Sequence, residues 1–194
     1  MSKLDVLAGI VGSDGSIDRN QPVVKIINKD REFINSTIIP LTREITGINV
    51  KTTPKTSGFV KDNNFVINIY CKWLWKILQE KYDIPAGKKS EKGIFPKILK
   101  KEDKIDFLRG WFAGDGSVTR DRKRPRLIIW SKNRTILEWI KQTLAENQIE
   151  SRIWFSKKKN QFLLTVGKKK SVELFFKTIK IPHPEKERKL KSLL

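Results

Sequence analysis

The sequence predicts an α+β fold made of two pseudo-symmetric halves, each with the element order α-β-β-α-β-β-α. This prediction depends on a stretch of small and apolar residues that ends in Asp-Gly-Ser and occurs twice, with its acid at Asp14 and again at Asp115. The strand and helix patterns that follow the two copies have the same order. We therefore expect an N-terminal half over residues 1–84, a linker over 85–102 and a C-terminal half over 103–194.

The individual elements are predicted from apolar periodicity, β-branched content and the positions of Pro and Gly. In the first half we expect helices over 3–14, 30–47 and 71–83, strands over 16–19, 23–29, 48–56 and 64–70, and a loop or hairpin tip over 52–63. In the second half we expect helices over 103–114, 134–147 and 171–179, strands over 117–122, 126–132, 149–156 and 161–167, and then a basic tail. Asp30 is expected to cap the second helix, and Pro40 to kink or break it.

Glycines are unexpectedly frequent in the first helix of each half. Gly9 and Gly12 are three residues apart and share a helix face, at a cost of roughly 1 kcal/mol each in helix propensity. Close approach of another helix would offset that cost. Gly110 and Ala113 occupy the equivalent positions of the second copy, so we expect these four residues to form an interface between the two helices. Gly15 is expected to end the first helix.

The composition limits the possible functions. The chain has 41 Lys and Arg against 21 Asp and Glu, a formal net charge of +20, which points to a polyanionic partner such as nucleic acid. The single cysteine, Cys71, excludes an internal disulfide framework and a cysteine-based zinc site, and the single histidine, His183, disfavours a histidine general base. No apolar run reaches the ~20 residues of a membrane span, and no signal peptide is recognisable. We expect a cytoplasmic protein of an archaeon or a bacterium, with an organellar origin left open.

The two acids suggest a metal-dependent reaction. A single Asp-Gly at a helix end is usually a turn, but its repetition in a duplicated basic protein favours an active site. Two close carboxylates repel each other unless a cation lies between them, and Mg²⁺ is commonly held by one or two carboxylates together with phosphate and water. Such a site can hydrolyse a phosphodiester, and one acid in each half suits the cutting of two antiparallel strands.

Residues 7–15 (LAGIVGSDG) resemble the signature of the LAGLIDADG homing endonuclease family, and residues 108–116 (LRGWFAGDG) are a looser second copy. Gly12, Arg109 and Gly114 depart from the signature. The resemblance implies a monomer whose two LAGLIDADG helices pack together, with a curved antiparallel sheet in each half forming a saddle over DNA. It also implies cleavage of both strands across the minor groove, leaving short 3′ overhangs.

The resemblance further implies that Asp14 and Asp115 bind Mg²⁺ together with the backbone carbonyls of Ser13 and Gly114. Mn²⁺ is expected to substitute, and Ca²⁺ to support binding without cleavage. Lys29 and Lys132 end the second strand of each half, where the family has a lysine bordering the active site. They are expected to stabilise charge at the scissile phosphate, with a generic phosphate contact as the alternative.

DNA contacts are expected on the strand faces opposite the apolar ones, because a two-stranded ribbon fits the major groove of a long, pseudo-palindromic duplex site. In the first half the candidates are Asp18, Arg19, Lys25, Asn28, Lys51, Thr53, Lys55 and Asn68. In the second half they are Arg120, Arg122, Arg124, Arg126, Ser131, Arg152, Trp154, Gln161 and Thr165.

Two other functions remain open. One is an RNA maturase that assists splicing of its host intron, with the intron RNA as a partner, and the other is a catalytically inactive DNA-binding protein. The acid pair argues against the second. Because the sequence starts with Met and lacks the Cys or Ser and His-Asn ends of an intein, we expect an intron-encoded free enzyme.

Overall fold

The computed structural model describes residues 1–57, 60–89, 94–98, 100–121 and 124–194, and the side chains of residues 56, 57 and 60–62 lie outside that description. The first half contains α1 (Lys3–Asp14), β1 (Gly15–Ile17), β2 (Val23–Asn28), α2 (Arg31–Phe33), a π-helical turn (Ile34–Ile38), α3 (Ile39–Thr46), β3 (Thr52–Ser57), β4 (Val60–Tyr70) and α4 (Lys72–Glu80). The second contains α5 (Lys101–Asp115), β5 (Gly116–Asp121), β6 (Arg124–Ser131), α6 (Arg134–Glu146), β7 (Arg152–Ser156), β8 (Gln161–Val166), α7 (Lys169–Ile179) and α8 (Pro184–Lys191).

Each half contains one four-stranded antiparallel sheet. The strand order is β1-β2-β4-β3 in the first half and β5-β6-β8-β7 in the second, so the two sheets have the same topology. The predicted α+β fold with two repeated halves is confirmed. One face of each sheet packs on helices, and side chains such as Ile26, Ile67, Ile129 and Leu164 on that face are buried.

The strand boundaries differ from the sequence prediction at β3 and β4. Residues 48–51 were expected in a strand and have no regular structure, whereas the strands extend into the segment 52–63 that was predicted as a loop or hairpin tip. The two strands pair from Thr52↔Ile67 to Ser57↔Val60. Antiparallel pairing of neighbouring segments therefore stabilises strands that contain Pro54, Asp62 and Asn63, whose own β-propensity is weak.

The segment after β2 confirms the predicted cap. The Asp30 carboxylate accepts a hydrogen bond from the Phe33 amide at 3.1 Å and begins α2. A π-helical turn follows, and Pro40 lies in the first turn of α3, where the missing proline N–H costs least. Pro40 thus coincides with the irregularity that the sequence predicted.

The C-terminal residues were expected to form a basic tail and instead form α8. Leu190 is fully buried, although the rest of the helix is polar and basic. Two contacts join this segment to the first half: the Thr37 hydroxyl donates to the Pro182 carbonyl at 2.7 Å, and Arg188 makes a bidentate ion pair with Glu32. A single buried leucine gives almost no apolar periodicity, so the helix could not be recognised from its pattern.

The two long helices α1 and α5 pack with their backbones in close contact. A Cβ atom on Gly9 would lie 2.0 Å from the Phe107 carbonyl oxygen, and one on Gly110 would lie 1.9 Å from the Val6 carbonyl oxygen. The predicted role of these two glycines in the interface is therefore correct. Because Gly9 and Gly110 have no side chain, the backbone of the opposite helix can approach each of them closely.

The other two predicted interface residues behave differently. A Cβ atom on Gly12 would meet the indole ring of Trp111 at 2.6 Å, so Gly12 makes room for an aromatic side chain and not for the buried Ala113. Gly114 was not predicted to lie in the helix interface, but it packs against Ser13. The Ser13 hydroxyl oxygen would be 2.0 Å from a Cβ atom added to Gly114. Gly15 has an extended backbone and begins β1, so it ends the helix without adopting the left-handed conformation.

Each long helix also carries a buried acid near its start. Asp5 accepts hydrogen bonds from Lys81 at 3.0 Å and from the Tyr82 hydroxyl at 2.6 Å. The equivalent acid, Asp106, pairs with Arg109, which also donates to the Thr178 carbonyl at 2.9 Å. The departure of Arg109 from the signature therefore supplies the partner of a buried carboxylate.

Among the described residues, no helix has the length and apolar character needed to cross a lipid bilayer.

Candidate active site

The two predicted acids lie side by side where α1 and α5 end. Asp14 is the last residue of α1, and Asp115 is the last residue of α5. A Cβ atom on Gly114 would lie 3.0 Å from the Asp14 carboxyl carbon, which shows how closely the first acid approaches the second helix. The packing of the two glycine-containing helices thus brings one acid from each half into a shared cleft.

Both acids are less acidic than ordinary aspartates. Burial in the cleft raises the pKa of Asp14, and a hydrogen bond from Asn28 only partly opposes that effect. Desolvation in the cleft and the neighbouring Asp14 carboxylate raise the pKa of Asp115 to about 6, although the residue as a whole is exposed at the mouth of the cleft. Two neighbouring carboxylates whose pKa values are raised are a suitable site for a cation.

Two lysines that the sequence analysis did not select complete the cleft. The Lys89 ammonium donates to the carbonyl oxygens of Gly12 and Ser13, both at 2.7 Å, at the end of α1. The Lys186 ammonium donates to the carbonyl oxygens of Ala113 and Gly114, both at 2.6 Å, at the end of α5. Each lysine therefore caps the helix that carries the acid of its own half, where the helix dipole favours positive charge.

The two lysines reach equivalent positions from different local structures. Lys89 follows a short segment in which Ala86 bridges to β1 and the Gly87 amide donates to the Ile17 carbonyl at 2.8 Å. Lys186 lies in the first turn of α8. Burial lowers the pKa of both lysines to about 8, and the two carboxylates oppose that shift in each case.

A sequence signal for these lysines exists. The pair Ile84-Pro85 repeats as Ile181-Pro182 at an offset of 97 residues, and the same offset relates Lys89 to Lys186. Lys89 falls in the predicted linker and Lys186 in the predicted basic tail, where no site residue was expected. Extending the comparison by four residues would have found the pair.

Lys29 and Lys132, which were predicted as active-site lysines, are placed elsewhere. Both side chains are exposed, and within the part of the chain that the structure describes neither makes an ion pair with Asp14 or Asp115. Strand alternation explains this result: each lysine directly follows the last residue of its strand, so its side chain points away from the cleft. Lys89 and Lys186 occupy the positions that we had expected these two residues to fill.

Asn28 and Ser131 were expected to contact DNA, and they lie on the cleft side of their sheets. The Asn28 side-chain amide donates to the Asp14 carboxylate at 2.7 Å. Its counterpart Ser131 instead accepts a hydrogen bond from the Asn133 amide at 3.0 Å. The two halves of the cleft are therefore unequal, because Asn28 orients the acid of its half, whereas the Ser131 hydroxyl is engaged by the Asn133 amide.

The residues present suit a divalent cation held by the two carboxylates. Oxygen ligands from Asp14 and Asp115 are those that Mg²⁺ prefers, with water and a substrate phosphate as further ligands. Among the described residues there is no cluster of three or more His, Cys, Asp or Glu side chains, so the substrate or water must complete any coordination sphere. The predicted backbone ligands, the Ser13 and Gly114 carbonyls, accept hydrogen bonds from the lysines in this structure.

The sheet faces that point away from the helices carry several predicted DNA contacts. In the first half Lys25 and Asn68 pair across β2 and β4, and Thr53 pairs with Val66 on the same face. Three further candidates lie at the margins of this sheet: Arg19, whose guanidinium lies beside Gly87; Lys51, which precedes β3; and Lys55, at the register shift of β3. In the second half Arg124, Arg126, Arg152, Trp154 and Gln161 lie on the outward face.

Three predicted contacts do not lie exposed on that face. The Asp18 carboxylate accepts hydrogen bonds from the Asn20 and Gln21 amides at 2.9 and 3.0 Å, so it stabilises a turn. Arg120 pairs with Pro125 and alternates with the buried Val118, which places it on the helix side. Thr165 is 6% exposed.

Another predicted contact, Arg122, lies outside the described residues.

A family model supports the resemblance noted in the sequence. The LAGLIDADG-like domain matches residues 102–180, which form most of the second half. A variant of the homing endonuclease I-DmoI, solved in complex with its target DNA and Mg, has the same fold over 92% of this chain and 95% of its own, with a TM-score of 0.66 and 18% identity. The chain thus has the LAGLIDADG fold, and residues 102–180 match the LAGLIDADG-like domain.

Two other proteins are similar to this chain. The N-terminal LAGLIDADG domain of DUF199/WhiA matches 92% of the chain and 82% of its own length, with a TM-score of 0.61 and 18% identity. The probable translation initiation factor IF-2 of Methanocaldococcus jannaschii is 30% identical over 200 residues, which are 96% of this chain and 16% of that protein. The chain therefore spans less than a fifth of the length of this curated relative.

Proposed function

We propose that this LAGLIDADG protein is a site-specific, divalent-metal-dependent endonuclease that cuts both strands of duplex DNA. One observation carries the proposal: the ends of α1 and α5 bring together one acid and one lysine from each half in a single cleft. The net charge of +20 supports a nucleic-acid substrate. The two outward sheet faces carry basic and amide side chains of the kind that contact phosphates and base edges.

Metal use is proposed from the acid pair and from I-DmoI, whose complexes with DNA have been solved with Mg, Ca and Mn. When bound, a divalent ion would activate water and neutralise charge on the reacting phosphate. Asp14 and Asp115 would hold it.

Lys89 and Lys186 would place positive charge beside the phosphates, on opposite sides of the cleft. Their hydrogen bonds to helix-end carbonyls fix both ammonium groups before DNA binds. Positive charge that is already oriented stabilises the additional negative charge of the transition state without a reorganisation cost. Asn28 would hold the Asp14 carboxylate in one orientation.

The proposal is tested with wild type, Asp14→Asn and Asp115→Asn on a duplex target selected from a randomised library. We expect cleavage of both strands by wild type with Mg²⁺, loss of double-strand cleavage in each variant, and binding within a few-fold of wild type. Mn²⁺ should support cleavage, and Ca²⁺ binding alone. Retention of wild-type cleavage by both variants would falsify the assignment of the acids.

A DNA-binding protein without nuclease activity is the main competing function. The fold is about as similar to the WhiA domain as to I-DmoI, so fold similarity by itself does not separate binding from cleavage. The intact acid pair with its two lysines favours cleavage. Binding of the selected duplex by wild type without any cleavage in Mg²⁺ or Mn²⁺ would establish the competing function.

An RNA maturase is the second alternative, and it would speed splicing of an intron RNA while leaving the duplex whole. The genetic context also stays a prediction. The similar segment of the IF-2 relative is part of a much longer polypeptide, so an origin within a host protein is as compatible with the sequence as an intron-encoded one.

A further inference from the structure

One row of side chains on the outward face of the second sheet is apolar and aromatic. Trp130 on β6 pairs with Leu163 on β8, which pairs with Trp154 on β7, so the three side chains lie side by side across three strands. Their neighbours Ile129 and Leu164 are buried on the opposite face. We call Trp130, Leu163 and Trp154 the aromatic row.

The aromatic row is exposed without an intramolecular function that explains it. Trp154 is 51% exposed, and Trp130 and Leu163 are partly exposed. An apolar surface at this place does not contribute to the core, which lies on the other side of the sheet. Large exposed aromatic side chains on a binding face usually mark a contact with a partner.

The first half has smaller side chains at the equivalent positions. Ile27 pairs with Val66, and Val66 pairs with Thr53, in the same strand order. The two sheets therefore present rows of the same register but of different size and chemistry. A duplex that lies across both sheets would meet a flat, partly polar row on one side and a raised aromatic row on the other.

The row lies next to the cleft and is flanked by cations. Asp115 directly precedes Gly116, which pairs with Ile129, so the Trp130 end of the row is the end nearer the acid. The Lys159 ammonium lies 4.0 Å from the centroid of the Trp130 ring, and Arg152 is exposed two residues before Trp154. This combination of an apolar strip and a basic rim is complementary to a groove between two phosphate strands.

We propose that the aromatic row reads thymine methyl groups in the major groove of the half-site bound by the second half. This inference rests on the proposed DNA-binding function and adds a specificity to it. The C5-methyl of thymine is the only methyl group on the base edges of the major groove and their largest apolar group. The row therefore selects T at the positions beneath it, whereas the first half reads its half-site mainly through polar side chains.

Stacking on an unpaired base is the alternative use of such a row. The position of Lys159 argues against it for Trp130, because the ammonium already occupies a face of the ring. Trp130, Leu163 and Trp154 lie in one line across the three strands, which suits contacts with successive methyl groups along one strand.

The experiment selects binding sites for the full chain, in Ca²⁺ to limit cleavage, from a randomised duplex library made with thymine. The best site is then remade with uracil in place of thymine in one half-site at a time. Loss of one buried methyl group should weaken wild-type binding about fourfold per contacted base in one half-site only. The same replacement in the other half-site is the internal control.

Two variants separate the row from the rest of the sheet. Trp154→Thr introduces the residue of the first half and should abolish the difference between thymine and uracil. Phe155→Thr is the matched control, because Phe155 is 50% exposed and next to Trp154 but points to the opposite face. It should keep the wild-type difference, and circular dichroism should show that both variants are folded.

The outcomes distinguish this inference from the proposed function. An enriched site whose uracil forms bind as tightly as the thymine form overturns the thymine reading and leaves the endonuclease proposal standing. Equal behaviour of the two variants also overturns it. A single-stranded RNA that displaces the duplex only when Trp154 is present would assign the row to stacking instead. Failure to enrich any duplex contradicts both proposals.

Discussion

Lys89 and Lys186 lie 97 residues apart in the chain, and each donates hydrogen bonds to the last carbonyls of the helix that carries the acid of its own half. One is held by a bridge to β1 and the other by α8. The cleft is therefore pseudo-symmetric in its charges, although the segments that supply the lysines differ in structure.

The first prediction concerns these lysines. Replacing Lys89 or Lys186 with Met should lower the single-turnover cleavage rate by roughly 10²-fold or more, because a fixed positive charge beside the phosphate is lost. Lys29→Met and Lys132→Met are the matched controls and should stay within a few-fold of wild type. Equal losses in all four variants would show that the exposed lysines act at the phosphates after all.

The second prediction follows from the unequal orientation of the two acids. Asn28→Ala removes the hydrogen bond to Asp14 and should slow cutting of one strand roughly 10-fold or more, so that nicked duplex accumulates. Ser131→Ala is the control, because the Ser131 hydroxyl accepts a hydrogen bond from the Asn133 amide and not from a group at the acids. This variant should leave the cutting rates of the two strands balanced. Strand-specific end labels measure both rates. Balanced slowing of the two strands in Asn28→Ala would contradict this assignment.

The third prediction concerns the helix interface. Gly9→Ala places a methyl group 2.0 Å from the Phe107 carbonyl oxygen, so the helices must separate, at a cost of about 1–3 kcal/mol or more in unfolding free energy. Cleavage should fall with stability, because the same helices position the acids. Gly167→Ala has no atom within 4 Å of the new methyl group and should be tolerated. Thermal and urea denaturation measure the difference, and similar midpoints for the two variants would contradict close packing at Gly9.

The fourth prediction is a pH dependence of stability. His183 is buried against Phe33, and burial together with the Lys186 charge lowers its pKa to about 4 despite the nearby Asp30 carboxylate. An unfolded histidine titrates near 6.5, so between pH 6.5 and 4 the unfolded state binds the additional proton. Stability should therefore fall as the pH falls through this window, by roughly 3 kcal/mol in total.

His183→Gln removes that titration, so the difference in unfolding free energy between wild type and variant should shrink toward acid pH and be constant above pH 7. Both proteins keep the neighbouring acids Asp30 and Glu32, so the comparison isolates the effect of residue 183. A difference that is independent of pH from 4 to 8 would show that folding leaves the pKa of His183 unchanged, and would contradict this prediction.

The sequence predicted those parts of the fold that depend on local pattern. The two copies of the motif predicted the contact of α1 with α5 and the proximity of Asp14 to Asp115, because repeated glycines and acids leave few other arrangements. The lysines could not be assigned by strand position alone, since Lys89 and Lys186 reach the cleft from segments without regular periodicity. The side chains of Lys29 and Lys132 point away from the cleft, and their direction is determined by the register of the sheets.

The last helix, α8, was harder to predict for a different reason. The helix α8 has one buried leucine, and its ion pair with Glu32 and the contact of Thr37 with Pro182 join residues far apart in sequence. Such contacts carry no local signal. The departure at Arg109 was visible in the sequence, but its partner Asp106 and the carbonyls of α7 became apparent only from the packing.

The docking of α8 on the first half constrains how the two halves of this molecule can be recombined with those of proteins of similar fold. A chimera that joins this second half to a different first half would keep Lys186 in its sequence. It would lose the residues that position the segment around Lys186, namely Glu32, Phe33 and Thr37. A working hybrid would need residues 30–37 to travel with α8. The unit of exchange in this molecule is therefore not the sequence repeat but the repeat together with the short surface on which its last helix rests.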